Sequence, residues 1–110
     1  MHMAKNDPQG TLDLLVLKTL SQMESLHGYG IYLHIQRASD ELLFVEEGSL
    51  YPALHRMEQS GWISSQWALT ETKRKAKYYK LTAAGRKQLQ KAEENFEQLV
   101  RGIRTMLRYA

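Results

Sequence analysis

The sequence predicts a mainly α domain with one small β-hairpin and a long C-terminal helix. Three observations carry that expectation. Apolar residues recur at helical spacing in four separate stretches. Between the third and the fourth, residues 62–81 read "WISSQWALTETKRKAKYYKL", aromatic and partly alternating on either side of a charged centre, as two strands and a turn would be. No internal repeat or low-complexity linker divides the 110 residues, which suffice for one compact domain.

The first helix is "GTLDLLVLKTLSQMESL", residues 10–26. Leu12, Leu15, Val16, Thr19, Leu20 and Met23 share one face, and Leu14 and Leu17 widen it, so this helix is expected to be central. Thr11 is placed to cap it and Asp13 suits its first turn. Two glycines in "LHGYG" break the pattern, and Gly28 would let two helices meet closely. A second helix follows over 29–39, with Ile31, Leu33 and Ile35 for burial. "LLFVEEG" (42–48) is an apolar run expected to be extended. The third helix runs from about Ser49 to Ser60 and stops at Gly61. After the hairpin, Thr82 caps a last helix over 83–108.

Composition removes several classes of function. With no cysteine there is no disulfide, thiolate zinc site or cysteine nucleophile, which fits a cytoplasmic protein. No apolar run approaches the ~20 residues of a membrane span. The start, "MHMAKNDPQG", has no apolar signal core. Residues 1–9 read as a flexible N-terminus, with Met1 and His2 as a cloning scar. His27, His34, His55 and the carboxylates show no metal-ligand spacing, no nucleophile motif is present, and no glycine-rich loop is placed to hold a phosphate. Neither an enzyme nor a cofactor is expected.

The charge is +3 and the pI about 9.2, but its distribution says more. Asp40, Glu41, Glu46 and Glu47 crowd one segment; Lys73, Arg74, Lys75, Lys77 and Lys80 crowd another. On the third helix, Leu50, Leu54 and Met57 form a core stripe. Pro52, His55, Arg56 and Gln59 fall on the far side, with Ser49 and Tyr51 at the N-terminal end and Pro52 in the first turn. A helix N-terminus favours a phosphate, to which the hydroxyls of Ser49 and Tyr51 and the cation Arg56 would add donors, and the early residues of such a helix reach base edges in a major groove. The cations at the hairpin tip suit a phosphate backbone, or a minor groove entered by Arg74. A polar helix face and a lysine-rich turn are each ordinary solvated surfaces when taken alone. Side by side, double-stranded DNA accounts for both better.

Along the last helix, Leu89, Ala92, Phe96, Leu99, Ile103 and Met106 are spaced 3, 4, 3, 4, 3, which is a heptad seam, and Val100 and Leu107 widen it. A small domain hardly needs so long a stripe at its end, so a homodimer is expected. Three helices, a hairpin and a long helix make a winged helix-turn-helix over 10–82 followed by a dimerisation helix over 83–110. The expected function is a sequence-specific DNA-binding repressor on a pseudopalindromic operator. The alternative is a winged helix that docks protein, for which the basic tip would have no purpose. A membrane surface fits less well, because Glu93, Glu94 and Glu97 lie on the last helix.

The blocks "LDLLVLKTL", "HGYGIYLHI", "EEGSLYPALHRMEQSGWI" and "KYYKLTAAGRKQL" together resemble the PadR family of bacterial transcriptional regulators over roughly residues 10–90. The resemblance implies an operator-binding winged helix, usually of a repressor, and a homodimer made through the C-terminal helix. It implies DNA contacts by Ser49, Tyr51, Pro52 and His55, a phosphate contact by Tyr29, and wing contacts by Lys73, Arg74, Lys75 and Lys77. The tip "KRKAK" departs from the glycine-arginine-proline pattern common before "KYY" in family wings. Some short members bind flat drugs between tryptophans of their last helices. Here Trp62 and Trp67 both lie in the hairpin and the last helix offers Phe96, so no drug site is carried over and no effector is named.

Overall fold

The computed structural model describes residues 8–108. The order is α1 (Pro8–Gln22), β1 (Leu26–His27), α2 (Gly28–Ala38), α3 (Glu47–Gln59), β2 (Ile63–Leu69), β3 (Lys75–Leu81) and α4 (Ala83–Arg108). The strands form one antiparallel sheet in the order β1-β3-β2. This is a winged helix followed by a long C-terminal helix.

The core is where the apolar periods converge. Val16, Leu17 and Leu20 of α1 meet Ile31 and Ile35 of α2, Leu50, Leu54 and Met57 of α3, and Ile63 and Tyr79 of the sheet. All are buried, so each helix is fixed by a stripe of its own sequence. Of the two adjacent tyrosines, Tyr79 faces the core, while Tyr78 lies on the other face, across from His27.

Several element ends differ from expectation. α1 begins at Pro8, so Thr11 lies inside it and is not its cap. The rest of the expected flexible start, residues 1–7, lies outside the described residues. Leu26 and His27, expected only as a break, pair with Tyr79 and Tyr78 and add a third strand. The run 42–46 forms no strand. α2 closes instead through a turn in which Asp40 and Glu41 both take positive φ (53° and 63°) and the Glu41 amide donates to the Gln36 carbonyl.

α3 starts at Glu47, two residues earlier than expected, so Pro52 is its sixth residue and not in its first turn. Pro52 cannot donate to the carbonyl one turn back, yet the helix continues, held by its buried face. Its end behaves as expected. Gly61 takes φ +80° and the Trp62 amide donates to the Met57 carbonyl, closing the last turn.

Thr82 caps α4: its hydroxyl accepts from the Gly85 amide at 3.0 Å and also reaches the Trp62 carbonyl. A Cβ on Gly85 would fall 2.0 Å from that same carbonyl, so only glycine allows the helix to sit this close to the hairpin base. The seating lays the first turns of α4 on the core and sends the rest outward, in a molecule measuring 57 × 29 × 23 Å. Among the described residues, no helix is long and apolar enough to cross a membrane.

Candidate nucleic-acid interface

α3 turns Leu50, Ala53, Leu54 and Met57 inward. That leaves Ser49, Tyr51, Pro52, His55 and Gln59 exposed. Tyr51 is held from below. Its ring lies over Gly28 at the start of α2, where a Cβ would come within 2.6 Å of the ring carbon Cε1. Gly28 itself is placed by the residue before it. The His27 ring nitrogen Nδ1 accepts from the Gly30 amide at 3.0 Å and so caps α2. The His27 ring also meets Tyr78 edge-on, with centroids 5.3 Å apart. The next residue, Tyr29, is exposed and stacks on Tyr32.

Arg56 does not share the open face. Its guanidinium donates twice to Asp13 of α1, at 2.9 and 2.7 Å, and the Asp13 side chain is only 14% exposed. Arg56 stands one turn on from the buried Ala53, on the flank of α3 beside α1, and a part-buried carboxylate there takes the cation. Arg56 therefore bolts α3 to α1, contrary to its expected place on the outer face.

The wing turn spans Thr70 to Arg74. The Thr70 amide donates to the Arg74 carbonyl at 2.8 Å, and the Lys73 amide to the Thr70 carbonyl at 2.9 Å. Lys73 closes the turn with φ +62°, the left-handed conformation that glycine normally supplies in such a hairpin. Lys73, Arg74 and Lys75 are exposed, and among the described residues no ion pair engages them.

Lys77 behaves differently. It sits within β3, not at the tip, and its Nζ pairs with Glu58 of α3 at 3.1 Å. Glu58 also accepts from the Ser65 hydroxyl of β2. The Ser65 hydrogen bond, with the Lys77 cation adding to it, holds the Glu58 carboxyl below the usual carboxylate range. The Glu58 carboxylate in turn raises Lys77. Burial pushes the Tyr79 phenol up.

The family model described as transcriptional regulator PadR-like family matches residues 16–91, well over half the chain. The chain belongs to the PadR-like family. Among solved structures it is similar to a transcriptional regulator from Clostridium thermocellum, 32% identical over 88% of this chain and 93% of the other, with a TM-score of 0.79. A PadR-like transcription factor from Bacteroides fragilis is 26% identical over 94% of this chain and 97% of the other, at a TM-score of 0.73. PadR of Bacillus subtilis, in complex with operator DNA, is 25% identical over 74% of this chain, at a TM-score of 0.66. This chain spans only 45% of that protein. No curated protein matches.

In this PadR-like chain an open groove between α2, the N-terminal half of α3 and the wing brings Tyr29, Tyr51, Arg74, Lys75 and Lys77 together. Its volume of about 1240 Å³ exceeds the ~300–1,000 Å³ of most small-molecule pockets. Ser49, Pro52, His55 and Lys73 do not line it. Among the groove residues that were not foreseen are Arg37 of α2 and Trp67 of β2. Trp67 had a signal in the alternation of β2. It shares the face of Ile63, but beyond the edge of the core, and is 64% exposed.

The seam of α4 divides in two. Leu89, expected at a dimer interface, is buried in this chain's own core, because the Gly85 seat presses that turn inward. Ala92, Leu99 and Val100 are partly covered, whereas Phe96, Ile103, Met106 and Leu107 are exposed.

Proposed function

We propose that this PadR-like regulator is a repressor that binds a pseudopalindromic operator as a homodimer. The observation that carries the reading is the pairing of α3 with the wing tip. The exposed Ser49, Tyr51, Pro52 and His55 stand on a helix whose back is locked into the core. Beside them is a tip with Lys73, Arg74 and Lys75, engaged in no ion pair among the described residues. In this reading α3 enters a major groove, Tyr29 meets a phosphate and the tip follows the backbone. That the Bacillus subtilis relative was solved on operator DNA supports it.

The dimer rests on the outer half of α4. Phe96, Ile103, Met106 and Leu107 continue one apolar stripe past the end of the core, as a second copy would need. A twofold axis there would set two α3 helices on successive major-groove turns. Ile103→Asp is expected to leave a monomer in sedimentation and to abolish tight operator binding.

The test of the whole reading is fluorescence anisotropy on a duplex from the protein's own upstream region and on a scrambled duplex, over a salt series. Preference for the upstream duplex with a steep salt slope supports a specific regulator. Equal salt-sensitive binding to both moves the operator elsewhere. No binding at low salt leaves protein docking as the function. A lowered transcript yield in a run-off assay separates repressor from activator.

A further inference from the structure

We propose that Glu58 is a positioning residue whose carboxylate straps the wing to α3 and so sets the span between Tyr51 and the cations of the tip. The role rests on the DNA-binding reading above. Glu58 lies next to the last residue of α3 and reaches both long strands, accepting from Ser65 of β2 and pairing with Lys77 of β3 at 3.1 Å. In the ladder Ser65 faces Tyr79 and Trp67 faces Lys77, so Ser65 and Lys77 are diagonal neighbours on the side turned to α3.

The position is what makes the contact informative. Ile63 and Tyr79 are the last buried residues of the hairpin, and Gln66 to Leu69 are all exposed. The strap therefore grips the wing where the hairpin leaves the core and its angle is no longer set by packing. The grip is partly sheltered, with the Lys77 and Glu58 side chains 34% and 30% exposed, so water screens it less than a fully exposed pair. Lys77 also stands 6.0 Å from the centroid of the Tyr79 ring. Its cation is thus turned to α3, while Lys73, Arg74 and Lys75 remain for phosphates.

The alternative is that Lys77 touches phosphate and Glu58 is an incidental neighbour. The two accounts predict opposite signs. Removing an anion beside DNA should tighten binding by charge alone. Removing a strap should weaken it, despite the gain in positive charge.

The experiment uses the full chain and a duplex selected by the protein itself from a random-sequence pool. Glu58→Ala and Lys77→Ala are each expected to weaken that duplex by about fivefold, with the double variant no worse than either, as for two partners of one contact. Glu58→Gln, which keeps shape and the Ser65 bond but loses the charge, should fall between. The swapped pair, Glu58→Lys with Lys77→Glu, should recover most of the loss at unchanged net charge. Random duplexes should be held as before. The Lys77→Ala salt slope should match that of the wild type, while Lys75→Ala lowers it by about 0.9.

Tighter binding by Glu58→Ala, or a lowered slope in Lys77→Ala, would overturn the strap while leaving DNA binding intact. A wild type that selects no duplex would overturn the DNA reading, and this role with it. Thermal melting of each variant separates loss of fold from loss of position.

Discussion

α3 and the wing tip face the same side of the molecule but are built to opposite plans. α3 has four buried residues along its back, a bidentate pair to α1 and a closed C-terminus. Among the described residues the tip has only the bonds of its own turn, and it includes a lysine held in a left-handed conformation. The contrast matches a division of labour between side chains placed to a fraction of an ångström and charges that, once the Glu58 contact has set the angle of the wing, need only lie near a phosphate. On this view, damage to the support of α3 should act on stability or sequence preference. Damage to the tip should act on affinity for all sequences.

The largest effect expected is at Arg56. Arg56→Ala leaves the sheltered Asp13 carboxylate without its two charge-assisted bonds and should cost about 2 kcal/mol of stability by chemical denaturation. Its salt slope on duplex DNA should equal that of the wild type. A stable Arg56→Ala protein with a shallower slope would return Arg56 to the DNA face and dissolve the contrast.

Next is Tyr51. Tyr51→Ala should weaken the preferred duplex by about 1–2 kcal/mol and a random duplex far less, because a placed contact carries sequence information. Gly28→Ala offers a subtler probe, since the new Cβ would intrude on the Tyr51 ring while that side chain remains free to swing outward. It should follow Tyr51→Ala in direction with little change in melting temperature. Equal losses on both duplexes would show that Tyr51 meets backbone and not base.

The same contrast explains what could be read in the sequence. The third helix was legible because a core stripe of Leu50, Leu54 and Met57 defines the opposite face by exclusion. The 83–108 helix was legible because Thr82 and an unbroken apolar period mark its start and course. The partners of cations were not legible. Arg56 and Lys77 look like Arg74 and Lys75 along the chain, but Asp13 and Glu58 meet them only after folding, across 43 residues in one case and 19 in the other. The β1 strand was missed because two residues carry no period; Leu26 and His27 become a strand only because Tyr78 and Tyr79 are there to pair with them. The third helix was expected from about Ser49 and begins two residues earlier, because the Ser49 and Leu50 amides both donate to the Glu46 carbonyl, a backbone closure that no side-chain pattern announces.

The smallest effect expected separates backbone from charge at the tip. Lys73 takes φ +62°, where a side chain costs about 1 kcal/mol relative to glycine. Lys73→Gly and Lys73→Ala both remove one cation, and if Lys73 neutralises a phosphate both should lower the salt slope by about 0.9 on every duplex. Only Lys73→Gly relieves the turn, so it should be the more stable of the two by somewhat less than ~1 kcal/mol, glycine's greater freedom in the unfolded chain offsetting part of the gain. A tip whose only duty is charge should not distinguish the two in DNA affinity. If Lys73→Gly bound more tightly than Lys73→Ala, the geometry of the turn itself, and not only the angle of the wing at Glu58, would matter to recognition.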